Sequence, residues 1–404
     1  MKKNPFLLLP VLLSLLFVCY CHMANRPVAL PPAETSAELP SDQIPPTAPS
    51  PALTLHAAGV CLMDASSGRI LYGKNETTPL PMASTTKIMT CLLALEHGDL
   101  NSTVTFSPKA ASMPKVRLGA GSGRSFVLNE LLYSLMLESH NDTAVAIAEH
   151  IGGSVEGFAA VMNAKAAELG MTQTTFVTPN GLDADGHSST PADMCRLAAY
   201  ACQNESFLGI ISTPSHTLRD VTGKHSYSLT NRDAFLTSYE GAIGIKTGFT
   251  GKAGYCFVGA AKRDDRTFVS CVLASGWPPN KSYKWADTKA LMDYGFETFT
   301  RQNISIRDLS AHKIPVENGT SAQTGITQPA FPAFLLGTPD TVDIDYQLPA
   351  KLQAPIRKEV PVGTATVSIN GIPAAVSQLY PLENIPEKQF ADFIDEVLTL
   401  FFSF

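Results

Sequence analysis

The period of the apolar positions changes along this chain, and the changes mark its elements. A first apolar run, Phe6 to Cys21, is broken only by Pro10 and Ser14 and follows Met1-Lys2-Lys3-Asn4. Charge followed by a short apolar stretch is the order of a secretory signal, and the run falls below the roughly 20 apolar residues of a membrane span. We expect a signal peptide over 1–24 and export of the chain. The next stretch carries Pro31-Pro32-Ala33-Glu34 and Pro45-Pro46-Thr47-Ala48-Pro49, a composition that buries no core, and predicts a linker over 25–52.

Folded sequence begins near Ala52. Ala57 to Met63 and Ile70-Leu71-Tyr72 flank the turn sequence Asp64-Ala65-Ser66-Ser67-Gly68-Arg69, which predicts a hairpin. From there to about Gly209 the period is helical. The strongest helices run from Thr85 to Glu96 with a stop at Gly98, from Glu130 to Leu137, from Thr143 to Ile151 before Gly152-Gly153, and from Val155 to Leu169 before Gly170. Strand patterns return at Gly241 to Thr247, Cys256 to Ala261 and Thr267 to Ala274. Strand, helices, then strands predicts an α/β (α+β) domain over 53–300, with a mainly antiparallel sheet and helices packed on it. Short strand-like segments in a Pro- and Gly-rich context, Thr341 to Tyr346 and Ala365 to Ile369, predict a small all-β C-terminal domain over 301–384. In the tail, 385–404, Phe390, Phe393, Ile394, Val397, Leu398 and Phe401 fall on one helical face and Asp392, Asp395 and Glu396 on the other. Two fates fit this amphipathic helix: docking on the β domain, or contact with a membrane surface through aromatic burial alone, since its acidic face repels anionic headgroups.

Composition narrows the classes. Of 404 residues, 45% are hydrophobic and 16% charged, the balance of a folded protein, and the net charge of −6 without a basic stripe gives no footprint for nucleic acid. Beyond the leader, Cys61, Cys91, Cys195, Cys202, Cys256 and Cys271 are too thinly spread for a disulfide scaffold and read as buried apolar residues. Cys256 and Cys271, on two neighbouring strands, are the pair to test.

Three short segments carry candidate chemistry. Ala83-Ser84-Thr85-Thr86-Lys87 opens the apolar helix Ile88 to Leu95, and a spacing of three puts Ser84 and Lys87 on one face. A neutral lysine there can take the serine proton. Neutrality requires a depression of about 3 units from the usual value near 10.4, which burial and a second cation can supply. Ser112-Met113-Pro114-Lys115 has the same spacing, but its proline and Gly-rich flank make it a loop, and no role is assigned to it. Glu138-Ser139-His140-Asn141-Asp142 is a polar knot between two apolar helices. It reads either as a helix cap or as a proton shuttle, Ser139, with an amide, Asn141, that holds Lys87 and the substrate. Gly244-Ile245-Lys246-Thr247-Gly248-Phe249-Thr250 ends a strand; it reads as a glycine turn with an exposed lysine, or as a carboxylate-binding edge. In the second case Lys246 is the second cation, and the N–H groups of Ser84 and Phe249 form an oxyanion hole.

The order Ser-x-x-Lys, Ser-x-Asn, Lys-Thr-Gly, with Pro81-Met82-Ala83-Ser84-Thr85-Thr86-Lys87-Ile88-Met89-Thr90, Ser139-His140-Asn141-Asp142-Thr143-Ala144 and Ala253-Gly254-Tyr255-Cys256 around it, resembles the serine D-Ala-D-Ala carboxypeptidases, the low-molecular-mass penicillin-binding proteins. Resemblance spans about Leu53 to Gly295 and, more loosely, reaches Pro381. It implies a penicillin-binding/β-lactamase-like domain with an antiparallel sheet and a helical subdomain. It also implies catalytic Ser84, Lys87, Ser139 and Asn141, and substrate-binding Lys246, Thr247, Gly248 and Phe249. The implied substrates are peptidoglycan stem peptides on the outer face of the cytoplasmic membrane, with β-lactams as acylating inhibitors and no metal or other cofactor. His140 stands where the family has a small residue. Asp183-Ala184-Asp185-Gly186-His187 could be taken for a metal cluster, but Phe176 to Pro191 resembles a structural loop of the same family. Trp277 and Trp285 read as core or rim packing rather than sugar platforms. Among rivals, a β-lactamase would carry a Glu-x-x-Leu-Asn base between the second and third motifs, and none is found. An endopeptidase or transpeptidase would share the serine chemistry, and a wall-binding module would need none of it.

Overall fold

The computed structural model describes residues 53–338 and 340–402, so the expected leader, 1–24, and most of the expected linker, 25–52, lie outside the described residues. Five strands form the central antiparallel sheet: β1 (Gly59–Asp64), β2 (Ile70–Lys74), β3 (Ala242–Thr250), β4 (Gly254–Arg263) and β5 (Arg266–Leu273), in the order β2-β1-β5-β4-β3. Every residue of β1 is buried, so its sequence shows no polar alternation; the period of two survives as a choice between two apolar cores. Cys61 and Met63 join the core shared with the helices, while Val60 and Leu62 join a second one against the helix Tyr283–Thr298. The turn from β1 to β2 is closed by Asp64, whose Oδ2 accepts from Ser66 Oγ at 2.8 Å and Ser67 Oγ at 2.6 Å, and by Gly68 at φ 72.

Between β2 and β3 the chain builds a helical layer: α1 (Lys87–His97), α2 (Leu128–Leu137), α3 (Asn141–Gly152), α4 (Val155–Glu168), α5 (Pro191–Ala201) and α6 (Glu205–Ser212). Local signals fix their ends. Gly153 closes α3 in the left-handed region at φ 71, Ser154 caps α4 by accepting from Gly157 N–H at 2.9 Å, and Thr190 caps α5 with Pro191 at its first position. Helix α1 is buried without a break from Lys87 to Ala94.

Cys256 and Cys271 do lie on neighbouring strands, but the register opposes Cys271 to Val258 on β4 and to Cys61 on β1, and among the described residues the cysteines are free thiols. The expected test pair is therefore not a disulfide.

Past the helix Tyr283–Thr298, Phe299–Gln302 pairs with Phe334–Gly337, and the strands β6 (Val342–Gln347), β7 (Gly363–Ile369) and β8 (Ile372–Leu379) form an antiparallel sheet in that order. Ala365, Val367 and Ile369 point inward at a period of two, and Asn370-Gly371, both at positive φ, make the tight turn between β7 and β8. The β-rich part is locked to the sheet by a fork: Arg69 Nη2 donates to Asp340 Oδ1 at 2.6 Å, and Nη1 donates to Asp340 Oδ2 at 3.0 Å and to Leu335 O at 2.7 Å. The tail forms the helix Phe390–Phe402. Its apolar face is not docked on the β strands; Phe390 is 64% exposed and Phe401 80%.

Candidate active site

Ala83–Thr86 forms one 3₁₀ turn that runs into α1, so Ser84 precedes the α-helix proper rather than occupying its first turn. The tighter turn brings Ser84 and Lys87 together, because residues three apart eclipse in a 3₁₀ helix. Lys87 Nζ lies 2.9 Å from Ser84 Oγ, 2.9 Å from Asn141 Oδ1 and 2.5 Å from Asn180 O. A neutral amine has two N–H groups and one lone pair, and this is a setting for all three: two carbonyl acceptors take the protons, and the lone pair faces the serine hydroxyl. Burial holds Lys87 well below the usual lysine range, the charge of Lys246 lowers it further, and Asp142 pulls the other way.

The second segment sits at the start of α3. Neither Ser139 nor Asn141 caps that helix, whose N-cap is His140 without a side-chain cap bond. Asn141 instead bridges two walls of the cleft, giving Oδ1 to Lys87 while its Nδ2 donates to Pro114 O at 3.2 Å. Ser139 is held at φ 66 and, among the described residues, its buried Oγ has no hydrogen-bond partner. His140 turns away to Ser134 Oγ at 2.9 Å, and burial pushes it down to about 4, which keeps it neutral. The following Asp142 accepts from the N–H groups of Leu118 and Gly119, each at 2.8 Å. The loop around Ser112 to Lys115 thus borders the cleft through its backbone, although Ser112 itself only donates to Lys109 O and makes no serine-lysine pair.

The third segment lies within β3, the edge strand, not at a turn; Gly248 pairs with Cys256 in the ladder. Lys246 is buried at 2% exposure, which removes the reading of an exposed lysine on a hairpin. A Cβ on Gly248 would stand 3.0 Å from Ser84 N and 3.1 Å from Ala83 Cβ, so glycine lets the strand edge lie against the serine turn without pushing it back. The half-buried Thr247 and the backbone of the exposed Phe249 flank that contact. Burial pushes Lys246 down to about 7, with Asp233 and Glu138 raising it and Lys284 lowering it.

Sequence reasoning missed the fourth wall. Asn180 contributes its carbonyl to Lys87 and, at 3.3 Å, to Ser84 Oγ, and Gly181 at φ 80 presses on the backbone of Ala83 where a side chain would collide. His187 braces this loop: Nδ1 accepts from Val177 N–H at 3.0 Å and Nε2 meets Thr86 Oγ1 at 2.9 Å. Burial lowers it to about 4, Asp183 opposing. Asp183 accepts from Thr250 Oγ1 at 2.9 Å, so this segment ties the loop to the edge strand of the cleft. Trp277 stays at the rim with its indole N–H on Gly251 O at 2.9 Å, and Trp285 packs edge-on to Phe257 at 4.6 Å.

A family model described as D-alanyl-D-alanine carboxypeptidase matches residues 45–276. The D-alanyl-D-alanine carboxypeptidase DacF of Bacillus subtilis is 30% identical over 355 residues, 86% of this chain and 90% of its own length. DacB2 of Mycobacterium tuberculosis, another D-alanyl-D-alanine carboxypeptidase, is 37% identical over 235 residues, 58% of this chain and 80% of its own. Among solved structures, penicillin binding protein 5 from Haemophilus influenzae superposes with a TM-score of 0.65 at 26% identity, covering 84% of this chain and 100% of that one.

Proposed function

Since this chain belongs to the D-alanyl-D-alanine carboxypeptidase family of serine peptidases, we propose how its own residues divide the work of removing a terminal D-alanine from peptidoglycan stem pentapeptides. The observation that carries the reading is the buried amine of Lys87, 2.9 Å from Ser84 Oγ and turned toward carbonyl acceptors instead of a carboxylate. Lys87 takes the Ser84 proton as Oγ attacks the carbonyl of the penultimate D-alanine. The C–N bond then breaks. Ser139 passes a proton to the departing amine and is resupplied from Lys87, leaving an acyl-serine. Water, deprotonated by Lys87, attacks that ester, and Ser84 recovers its proton.

Lys246 and the Thr247 hydroxyl receive the terminal carboxylate, Asn141 holds Lys87 and the substrate amide, and Gly248 keeps the strand edge close enough for Ser84 N–H and Phe249 N–H to meet the oxyanion. Penicillin acylates the same serine. Labelling with a fluorescent penicillin followed by peptide mapping is expected to place the adduct on Ser84; an adduct on Ser112 or Ser139 would remove the assignment.

The regions 53–300, 301–384 and 385–404 serve in this reading as catalytic domain, β-rich domain and tail. Among the described residues no helix is long and apolar enough to cross a membrane. We place the enzyme outside the cytoplasm, at the membrane face, with the exposed apolar side of Phe390–Phe402 as the surface contact.

A further inference from the structure

In the proposed scheme the substrate runs along β3 in one direction. Lys246 and Thr247 receive the terminal carboxylate and Phe249 N–H faces the carbonyl under attack, so the acyl side of the stem peptide continues past Phe249 toward Thr250. At about 3.4 Å per residue, Thr250 stands one step beyond the oxyanion position. By strand alternation it shares a face with Lys246 and Gly248, the face that Gly248 lays against the serine turn. Its hydroxyl is oriented: Oγ1 accepts from Ala253 N–H at 3.0 Å and donates to Asp183 Oδ1 at 2.9 Å.

Asp183 comes from the loop whose Asn180 carbonyl holds Lys87. That loop is braced on itself, with Asn180 Oδ1 accepting from Leu182 N–H at 3.0 Å and Leu182 O accepting from Thr178 Oγ1 at 3.1 Å. A carboxylate is thereby fixed at the acyl-side exit of the cleft. It has no counter-charge. Asp183 is exposed, and among the described residues no lysine or arginine pairs with it. His187, on the same loop, is held down at about 4 by burial and is neutral, and Asp185 is a second exposed acid. The cations of the cleft, Lys87 and Lys246, are buried on the serine side. A positive site for the C-terminus at one end and a fixed negative charge at the other suit a peptide that is anionic at its terminus and cationic just before its two D-alanines.

We propose that Asp183 is a specificity-determining residue that takes the free side-chain ammonium of the diamino residue preceding the two D-alanines. Stems whose diamino residue is unacylated are then trimmed ahead of those in which that amine already carries an acyl group, as it does in a crosslink. The proposal rests on the reading that Lys246 and Phe249 N–H orient the substrate along β3. The flexible stem of a lysine-like side chain lets its ammonium reach a carboxylate at a neighbouring position along the strand, whereas acylation removes the charge. Because Asp183 is exposed, the discrimination is modest and is screened by salt.

The test uses two peptides that differ at one nitrogen, Nα-acetyl-Lys-D-Ala-D-Ala and its Nε-acetylated form, and reads kcat/KM for D-alanine release by the wild-type protein, Asp183→Asn and Asp185→Asn. The wild-type protein is expected to favour the free amine about fivefold, through KM. Asp183→Asn keeps an acceptor for Thr250 Oγ1 and removes the charge, so its ratio should fall to about one; Asp185→Asn should keep the wild-type ratio. Raising the salt to about 0.5 M should shrink the wild-type ratio toward one, which reads the same charge without any substitution. A merely structural Asp183 would lower turnover of both peptides by the same factor, and that unchanged ratio overturns the proposal, as does an equal collapse of the ratio in Asp185→Asn. Release from both peptides at equal kcat/KM by the wild-type protein sinks the proposal alone, whereas no release from either sinks the carboxypeptidase reading and the proposal with it.

Discussion

Arg69 and Lys87 are both long cationic side chains taken out of water, and the protein treats them in opposite ways. Arg69, at the joint between the central sheet and the β-rich part, meets Asp340 in a two-pronged fork, with side chains only 3% and 1% exposed. Its charge is matched and its geometry fixed. Lys87 is just as deeply buried, but among the described residues no carboxylate bonds its ammonium, whose partners are Ser84, an amide and a main-chain carbonyl, with a second lysine nearby. The first arrangement stabilises a charge; the second destabilises one. A cation buried beside its counter-ion is a fastener, whereas a cation buried without one becomes a base at neutral pH.

Breaking each site should therefore fail in a different currency. Lys87→Ala is expected to lower kcat/KM by about 10⁴-fold or more while the protein still unfolds cooperatively near the wild-type midpoint. Steady-state kinetics beside a thermal melt would show it; a loss within tenfold would deny Lys87 its role. Arg69→Ala should do the reverse, costing about 3–5 kcal/mol in denaturant unfolding because Asp340 is left buried without its counter-charge, with kcat/KM below the unfolding transition within about twofold.

These predictions also show what the sequence could carry. Ser84 and Lys87 were legible because a spacing of three opens a run, Ile88 to Ala94, that is apolar except at Thr90, and only a buried helix explains that run. Lys246 was legible by its motif, but its burial was not, since that depends on how the helical layer closes over the edge strand. Asn180 and Pro114 left no mark at all, because each acts through a main-chain carbonyl that any residue possesses. The same limit hid the loop after Ser112, which is a loop as its proline predicts but borders the cleft through its backbone. In the fold, the interior strand β1 was found from its apolar content, whereas the fork from Arg69 to Asp340 joins residues far apart in sequence and has no local signature.

A finer comparison sets the two cleft lysines against each other. In the proposed scheme Lys87 is neutral and Lys246 charged, so kcat/KM should rise with pH through the depressed Lys87 value and fall above about 7 as Lys246 deprotonates. Lys246→Ala should raise KM about 30- to 100-fold for carboxylate-bearing peptides. It should also move the acid limb upward, because the charge that lowers Lys87 is gone. A limb that stays in place would separate the two lysines electrostatically. The smallest effect belongs to the tail: ending the chain at Pro386 is expected to leave turnover of a soluble peptide within about twofold while abolishing sedimentation with lipid vesicles.

The most direct measurement is D-alanine release from a diacyl-Lys-D-Ala-D-Ala peptide by the wild-type protein and by Ser84→Ala at equal concentration. The wild-type protein should release D-alanine and Ser84→Ala should release none above background. Release that persists in Ser84→Ala would contradict the serine assignment, and no release from either would contradict the carboxypeptidase reading itself.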